Sequence, residues 1–227
     1  YLITSPEYQM KRLLVGGIPR CFQLARCFRK GEEGHHHNRE FVMVEWYRAF
    51  ADMDDVIRDT EDLVRLAAQE LSGGSEIDVG GRIVDVGGPF ERLTVAQACE
   101  RHAGVDEARA LQLADEDEDT FFRLLVDRVE PEIAKHPRPV FVTGYPASQA
   151  SLARLSPADP RVCERFELYV GGVELCNGFG ELTDPVEAAG RLIDAANAGG
   201  GRDNITCVVV DVHDVGAGSA EAAAIAV

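Results

Sequence analysis

Arg29 closes a run rich in aromatic and apolar residues that begins at Arg20, and it opens a polar stretch holding Lys30, Gly31, Glu32, Glu33, His35, His36, His37, Asn38 and Arg39. A guanidinium forks one phosphate, imidazole and amide groups donate to others, and the Phe41 ring beyond the loop offers a flat face to a base. That combination suits a nucleoside polyphosphate. A second set is acidic: Glu7, Glu45 and Glu181, with Tyr47 and Asn177, have the acceptor atoms that can surround an amino group. A third is Glu167 and Glu174, on either side of Gly171-Gly172. With 171 and 172 as a two-residue turn, Tyr169 opposes Glu174 and Glu167 opposes Cys176. Both glutamates then lie on one face as diagonal neighbours, and like charges so placed repel unless a cation sits between them. The three consecutive histidines are not read as metal ligands, because adjacent residues in an extended loop point apart, and their internal position argues against an affinity tag.

The elements that must hold these groups follow from the pattern around them. Ser5 can cap a helix, Pro6 suits its first position, Glu7 favours its positive end and Gly16 can end it in a left-handed turn. Residues 20–29 and 40–50 read as antiparallel strands around the polar loop. In the second, Val42, Val44 and Trp46 face one way, and Phe41, Met43, Glu45 and Tyr47 face the other. Residues 51–72 have helical apolar spacing and end at Gly73-Gly74. A short strand near Ile77 to Val86 follows, then helices over 94–103, 107–113 and 118–134, a strand over 139–143 and a hairpin over 165–181. The chain ends with a helix over 186–198, a strand from Ile205 to Val212 and a small-residue tail over 216–227 that is expected to lack structure.

Length and charge bound the reading. The chain has 227 residues, 45% hydrophobic and 27% charged, with a formal net charge of −16, which argues against a general nucleic-acid binder. Residues 1–50 carry eight basic against five acidic side chains, whereas residues 51–135 carry nine against 22. The basic segment is the one that contains Arg29, so an anionic ligand is expected there. No run approaches the roughly 18 apolar residues of a membrane span, and no basic-then-apolar leader precedes Tyr1, so a cytoplasmic, non-membrane protein is expected. Cys21, Cys27, Cys99, Cys163, Cys176 and Cys207 form no Cys-x-x-Cys pair and read as reduced, mostly buried thiols.

Four separated stretches, in order, resemble the class II lysyl-tRNA synthetases. They are Thr4-Ser5-Pro6-Glu7; Phe28-Arg29 through His37-Asn38-Arg39-Glu40-Phe41-Val42-Met43-Val44-Glu45-Trp46-Tyr47; Pro146-Ala147-Ser148-Gln149-Ala150-Ser151-Leu152-Ala153; and Arg165-Phe166-Glu167-Leu168 through Glu174-Leu175-Cys176-Asn177-Gly178-Phe179-Gly180-Glu181-Leu182-Thr183-Asp184. The third stretch and the Glu-Leu-Thr-Asp ending are more similar to the short paralogues that act on elongation factor P. The resemblance covers about residues 1–190 and implies an α+β fold, an antiparallel sheet flanked by helices; by its own charge and spacing the 51–138 stretch reads as an acidic, mostly helical inserted layer. It implies activation of lysine or (R)-β-lysine with ATP and magnesium, then transfer to a lysine of elongation factor P, with tRNA not expected. A lysyl-tRNA synthetase fragment and an inactive ATP-binding remnant stand as alternatives.

By the same resemblance, Arg29 is the catalytic residue and Lys30, Gly31, Glu32, His37, Asn38, Phe41, Glu174 and Leu175 join it around ATP. Ser5, Pro6, Glu7, Glu45, Tyr47, Asn177 and Glu181 would bind the amino acid, and Glu167 and Glu174 would hold magnesium. The chain departs from the family at Lys30-Gly31, where Asn-Glu is usual, and at Arg39, which replaces a proline. The upstream motif 1, the dimer contact of this homodimeric family, is missing, and no Gly-x-Gly-x-x-Arg of motif 3 follows residue 184. Gly199-Gly200-Gly201-Arg202 is the nearest match. Residues 192–212 instead resemble the last strand of type 2C protein phosphatases, where the residue matching Asp203 binds a metal, so 191–215 is expected to be foreign to the fold.

Overall fold

Helix α1 (Glu7–Val15) begins where Pro6 presets the backbone, and the Ser5 hydroxyl accepts the Glu7 N–H at 3.0 Å. It ends at Val15 with Gly16 as its C-cap, where the sequence suggests. Gly16 keeps φ −71°, and the left-handed residue is Gly17 at φ 93°. Strands β1 (Arg20–Phe28) and β2 (Glu40–Ala49) pair antiparallel, with Cys21 opposite Tyr47 and Cys27 opposite Phe41. The computed structural model describes residues 2–34, 37–198 and 222–226. His35, His36, the strand expected over 205–212 and Asp203 lie outside the described residues.

Helix α2 (Met53–Ser72) opens with a reciprocal capping box between Asp52 and Asp55 and stops at left-handed Gly73. What reads as one strand near 77–86 is a hairpin of β3 (Glu76–Val79) and β4 (Arg82–Asp85), because Gly80 and Gly81 both take positive φ. Strand β5 (Glu91–Thr94), α3 (Val95–Ala103), α4 (Glu107–Glu116) and α5 (Glu118–Leu124) follow. The helix expected over 118–134 is interrupted: a π-turn over Leu125–Val129 joins α5 to α6 (Glu130–Ile133). Strands β6 (Val140–Pro146), β7 (Val162–Val170) and β8 (Val173–Gly180) and helix α7 (Pro185–Ala198) complete the order up to β9 (Ala222–Ala226).

Among the described residues the main sheet has seven strands in the order β1-β2-β9-β8-β7-β6-β5, antiparallel throughout except for the parallel β5–β6 pair. The α+β expectation therefore holds. Two expectations change. Part of the 216–227 tail is a strand: Ala222–Ala226 pairs with both β2 and β8, two strands whose inner edges would otherwise present unpaired backbone groups. The 51–138 stretch is not a separate layer, since it gives β5 to the main sheet and side chains to both cores.

Those cores lie on opposite faces of the sheet. On one, α3 to α6 pack Cys99, Leu113, Phe121 and Val129 against Val140, Val142, Tyr145 and Tyr169. On the other, α2 and the β3–β4 hairpin pack Val56, Ile57 and Val84 against Trp46, Phe141, Phe166 and Leu168. Helix α1 returns to the first face, where Met10 meets Tyr47. Cys27, Cys99, Cys163 and Cys176 are buried free thiols and Cys21 is partly covered. No helix among the described residues is long and apolar enough to cross a membrane.

Candidate functional site

The strand pairings place distant residues on one rung of the sheet. Gln23 opposes Glu45, Glu45 opposes Ala226, Ala226 opposes Asn177, Asn177 opposes Glu167 and Glu167 opposes Val142. At about 4.8 Å per strand, Glu45 and Glu167 stand roughly 14 Å apart across this rung. Because β2 and β8 are both antiparallel to β9, they run in the same direction. Phe41 and Glu174 are therefore displaced from the rung towards one end of the sheet, and Tyr47, Phe179 and Glu181 towards the other. Alternation, broken once by a bulge between Glu174 and Cys176, puts all of these on the face opposite Trp46 and Cys176. The face thus has one end marked by Phe41 and Glu174 and another by Tyr47, Phe179 and Glu181.

At the first end, the Arg29 N–H bonds the Arg39 carbonyl at 2.9 Å, which extends the β1–β2 ladder into the loop. Arg29 Nε donates to the Thr4 carbonyl at 3.2 Å, and its guanidinium lies 5.3 Å from the Phe41 ring centre. Glu32 stands 3.6 Å from Nη1. The guanidinium is thus aimed and partly desolvated, with terminal nitrogens available to a phosphate. Phe41 presents its face to Arg29, so a base stacking on Phe41 shares that ring with the guanidinium. Gly34 and His37 exchange backbone bonds at 3.2 and 3.3 Å, and Arg39 Nη2 donates to Glu33 at 2.7 Å, so the loop is bridged beyond its neck. Arg39, which departs from the family pattern, serves as that clasp. Lys30, Gly31, His37 and Asn38 are exposed and Gly31 turns at φ 90°.

On the rung, Glu167 is held from three directions: Arg165 Nη2 reaches Oε1 at 2.7 Å, and the Tyr145 and Tyr169 hydroxyls reach Oε2 at 2.6 and 2.7 Å. Arg165 also donates to the Gln149 carbonyl at 3.1 Å, which ties the Pro146–Ala153 stretch to this carboxylate. The predicted register is right at the turn and wrong beyond it. Tyr169 does oppose Glu174, but a bulge at Leu175 moves Cys176 opposite Leu168 and Asn177 opposite Glu167. The extra residue precedes Cys176, so Glu167 and Glu174 remain diagonal neighbours on one face. Partial burial, then Glu167 and Glu130, push Glu174 up to about 7, with Arg165 opposing, although its side chain still reaches solvent. Burial is the largest cause, and the neighbouring carboxylates outweigh the one guanidinium beside them. No group of three or more metal-ligating residues occurs among the described residues, so any ion here rests on two carboxylates and on water or substrate oxygens.

From the rung towards the far end, Glu45 is buried to 1% exposure and accepts from Ser5 Oγ at 2.8 Å and Tyr47 Oη at 2.6 Å. Burial raises its carboxyl above the ordinary value and the two hydroxyls oppose that. Burial also pushes Glu181 up to about 7; Lys11 opposes and Glu7 and Glu45 add to the rise. Glu181 Oε2 accepts from Lys11 at 2.9 Å, while its Oε1 and the Asn177 Oδ1 are buried without a partner among the described residues. Two acceptors so orphaned cost free energy until a donor reaches them, which is the property expected of a cation-binding pocket.

Sequence reasoning grouped Ser5, Pro6, Glu7, Glu45, Tyr47, Asn177 and Glu181; hydrogen bonds link Ser5 and Tyr47 to Glu45 and Lys11 to Glu7 and Glu181, Asn177 lies on the rung and Pro6 is buried. Leu175 is partly exposed in the bulge. It missed Lys11, Arg165, Tyr145 and Tyr169. Lys11 had a signal, one turn after Glu7 on the same helix; the two tyrosines had none before the register was known. A cavity of about 680 Å³ lies elsewhere, between the 147–155 segment and Arg191 of α7.

A family model described as tRNA synthetases class II (D, K and N) matches residues 1–202. Proteins named elongation factor P–(R)-beta-lysine ligase are similar to the chain. That of Erwinia tasmaniensis is 43% identical over 209 residues, covering 85% of this chain and 59% of its own length. Those of Klebsiella pneumoniae (strain 342) and Salmonella paratyphi B are 44% identical over 204 and 209 residues, covering 82% and 85% of this chain. The chain spans 57–59% of the length of these curated relatives.

Proposed function

Because the chain belongs to the class II tRNA synthetases of the D, K and N group, we propose that it activates lysine or (R)-β-lysine with ATP and passes the acyl group to a lysine side chain of elongation factor P. The observation that carries this reading is the two-ended sheet face, with the Arg29 guanidinium towards one end and the orphaned carboxylate oxygen of Glu181 towards the other. A molecule that is anionic at one end and bears ammonium groups at the other fits that polarity.

In the first step a substrate carboxylate oxygen attacks the α-phosphorus of ATP. The new bond is P–O to the carboxylate, the bond to the bridging oxygen breaks, and pyrophosphate leaves. Both reactants are anionic, so the task is charge neutralisation and alignment rather than proton removal. Arg29, fixed by Thr4 and Phe41, would take the α-phosphate and the carboxylate together. Lys30, His37, Asn38 and Glu32 would line the nucleotide, and Leu175 would flank it. Magnesium, which Glu174 and Glu167 would hold, would supply positive charge to the phosphates. In the second step an acceptor amine attacks the acyl carbon, the bond to AMP breaks, and an amide forms with loss of a proton.

Ser5 and Tyr47 hold Glu45, and Lys11 holds Glu7 and Glu181, so that the amino groups of the substrate meet preset carboxylates. Cytoplasmic residence and a homodimer of the family kind belong to the same proposal. An ATP–pyrophosphate exchange assay with lysine, (R)-β-lysine and no amino acid tests it. Exchange dependent on one of the two amino acids is expected; exchange at the level of the blank with both overturns activation by this chain.

A further inference from the structure

Lys11 is the one cation inside the acidic end of the site among the described residues that face it. Its Nζ donates to Glu7 Oε1 at 2.7 Å and to Glu181 Oε2 at 2.9 Å, and it stands 5.3 Å from the Phe179 ring centre. Its side chain is one-quarter exposed. Around it are Glu7 from α1, Glu45 and Tyr47 from β2, Glu181 and Phe179 from the β8 end, and Ser5 and Cys21 at the margin. Burial lowers the affinity of this ammonium for its proton, and Glu181 and Glu7 more than reverse that, so it stays charged. When ionised, three carboxylates against one ammonium leave two negative charges. Lysine and β-lysine each carry two ammonium groups.

Lys11 could in principle stand where a substrate ammonium goes and have to leave. The geometry argues otherwise. Lys11 uses only Oε2 of Glu181, and the buried Oε1 is left to a different donor. Resident and incoming cations can therefore share one carboxylate, the first fixing its plane for the second. We infer that Lys11 is a positioning residue and permanent counter-ion that aims Glu7 and Glu181 and trims the pocket to two uncompensated charges, selecting a substrate with two ammonium groups. The inference rests on the amino-acid-activating reading above.

Calorimetric titration of the full chain with lysine, (R)-β-lysine and norleucine, between pH 5.5 and 8.5, tests it, with Lys11→Met, Lys11→Gln and Lys11→Arg compared by circular dichroism for folding. Without the Lys11 charge Glu181 holds its proton more tightly. The acid limb of lysine binding in Lys11→Met and Lys11→Gln should then move up by about one pH unit, a roughly fivefold loss at pH 7 that largely recovers at pH 8.5. Norleucine, which lacks the side-chain ammonium, should not follow that shift, and Lys11→Arg should restore the wild-type profile. A purely structural role would weaken both ligands at every pH, and that result overturns the inference. So does an unchanged profile, or tighter lysine binding, which would make Lys11 a competitor for the substrate's place. Binding of neither diamino acid by the wild-type chain overturns the amino-acid reading itself, and this inference with it.

Discussion

Arg29 matters for what its anchoring leaves over. One nitrogen is committed to the Thr4 carbonyl and the plane rests near Phe41, so the terminal nitrogens face the loop with little freedom left to lose. Arg29→Ala should lower adenylate formation by about 10²–10³-fold, the usual effect of deleting one preorganised charge-stabilising donor. The half-exposed side chain carries little of the core, so the thermal midpoint should move by only a degree or two; pyrophosphate exchange beside a melting curve reads both. Wild-type exchange would remove Arg29 from the chemistry. The type and spacing of Arg29, Glu45, Tyr47 and Glu181 were legible in the chain because charged residues beside apolar strand runs stand out. Of Lys11 only the pairing with Glu7, one turn away, was legible; its contact with Glu181 was not, because that carboxylate comes from 170 positions along the chain.

Elements transmit the register that these residues need. The β7–β8 turn has Gly171 at φ 60° and Gly172 at φ 91°. A Cβ on Gly171 would sit 2.9 Å from Val79 Cβ of the β3–β4 hairpin, and one on Gly172 would sit 2.8 Å from Ala134 Cβ. The turn is thus wedged between two neighbours as well as left-handed. Gly171→Ala should cost about 2 kcal/mol or more, from the left-handed backbone plus the displacement of Val79, measured by urea unfolding. A loss under about 0.5 kcal/mol would show that the hairpin yields without strain. Helices, hairpins and strand faces were largely readable from turn glycines, caps and alternation. The Leu175 bulge, the π-turn at Leu125–Val129 and the short β5 were not, because each depends on a partner strand or helix rather than on local preference.

Across the whole molecule, the site is held at an electrostatic cost. Glu181 is raised from 4.5 to about 7, so between those values the native state keeps a proton that the unfolded chain has lost. Native binding of that extra proton makes stability fall with rising pH. The chain alone should therefore lose stability as pH rises from about 4.5 through about 7 and level off above. Asp55 and Asp159, whose carboxyls are lowered, act in the opposite sense only at more acid pH. Melting curves across pH 4.5–8, with and without lysine, check this: the decline should become shallower when lysine supplies the missing cation to Glu181, the share of Glu174 remaining, and a rise in stability over that window would contradict the assignment of Glu181 as an under-compensated buried acid.

By itself the sequence determined which side chains could meet a phosphate and which an ammonium, the strands and helices that carry them, and the kinship that 43–44% identity then bore out. Those are properties of residue type, alternation and local backbone preference, and they are encoded over a few neighbours. Only the tertiary structure decided that residues 23, 45, 177 and 167 share a rung, that Ala222–Ala226 lies between β2 and β8, and that Lys11 comes to rest against Glu181. The physical reason is that backbone pairing and burial join segments up to about 180 positions apart, a coupling that no local pattern of side chains can express.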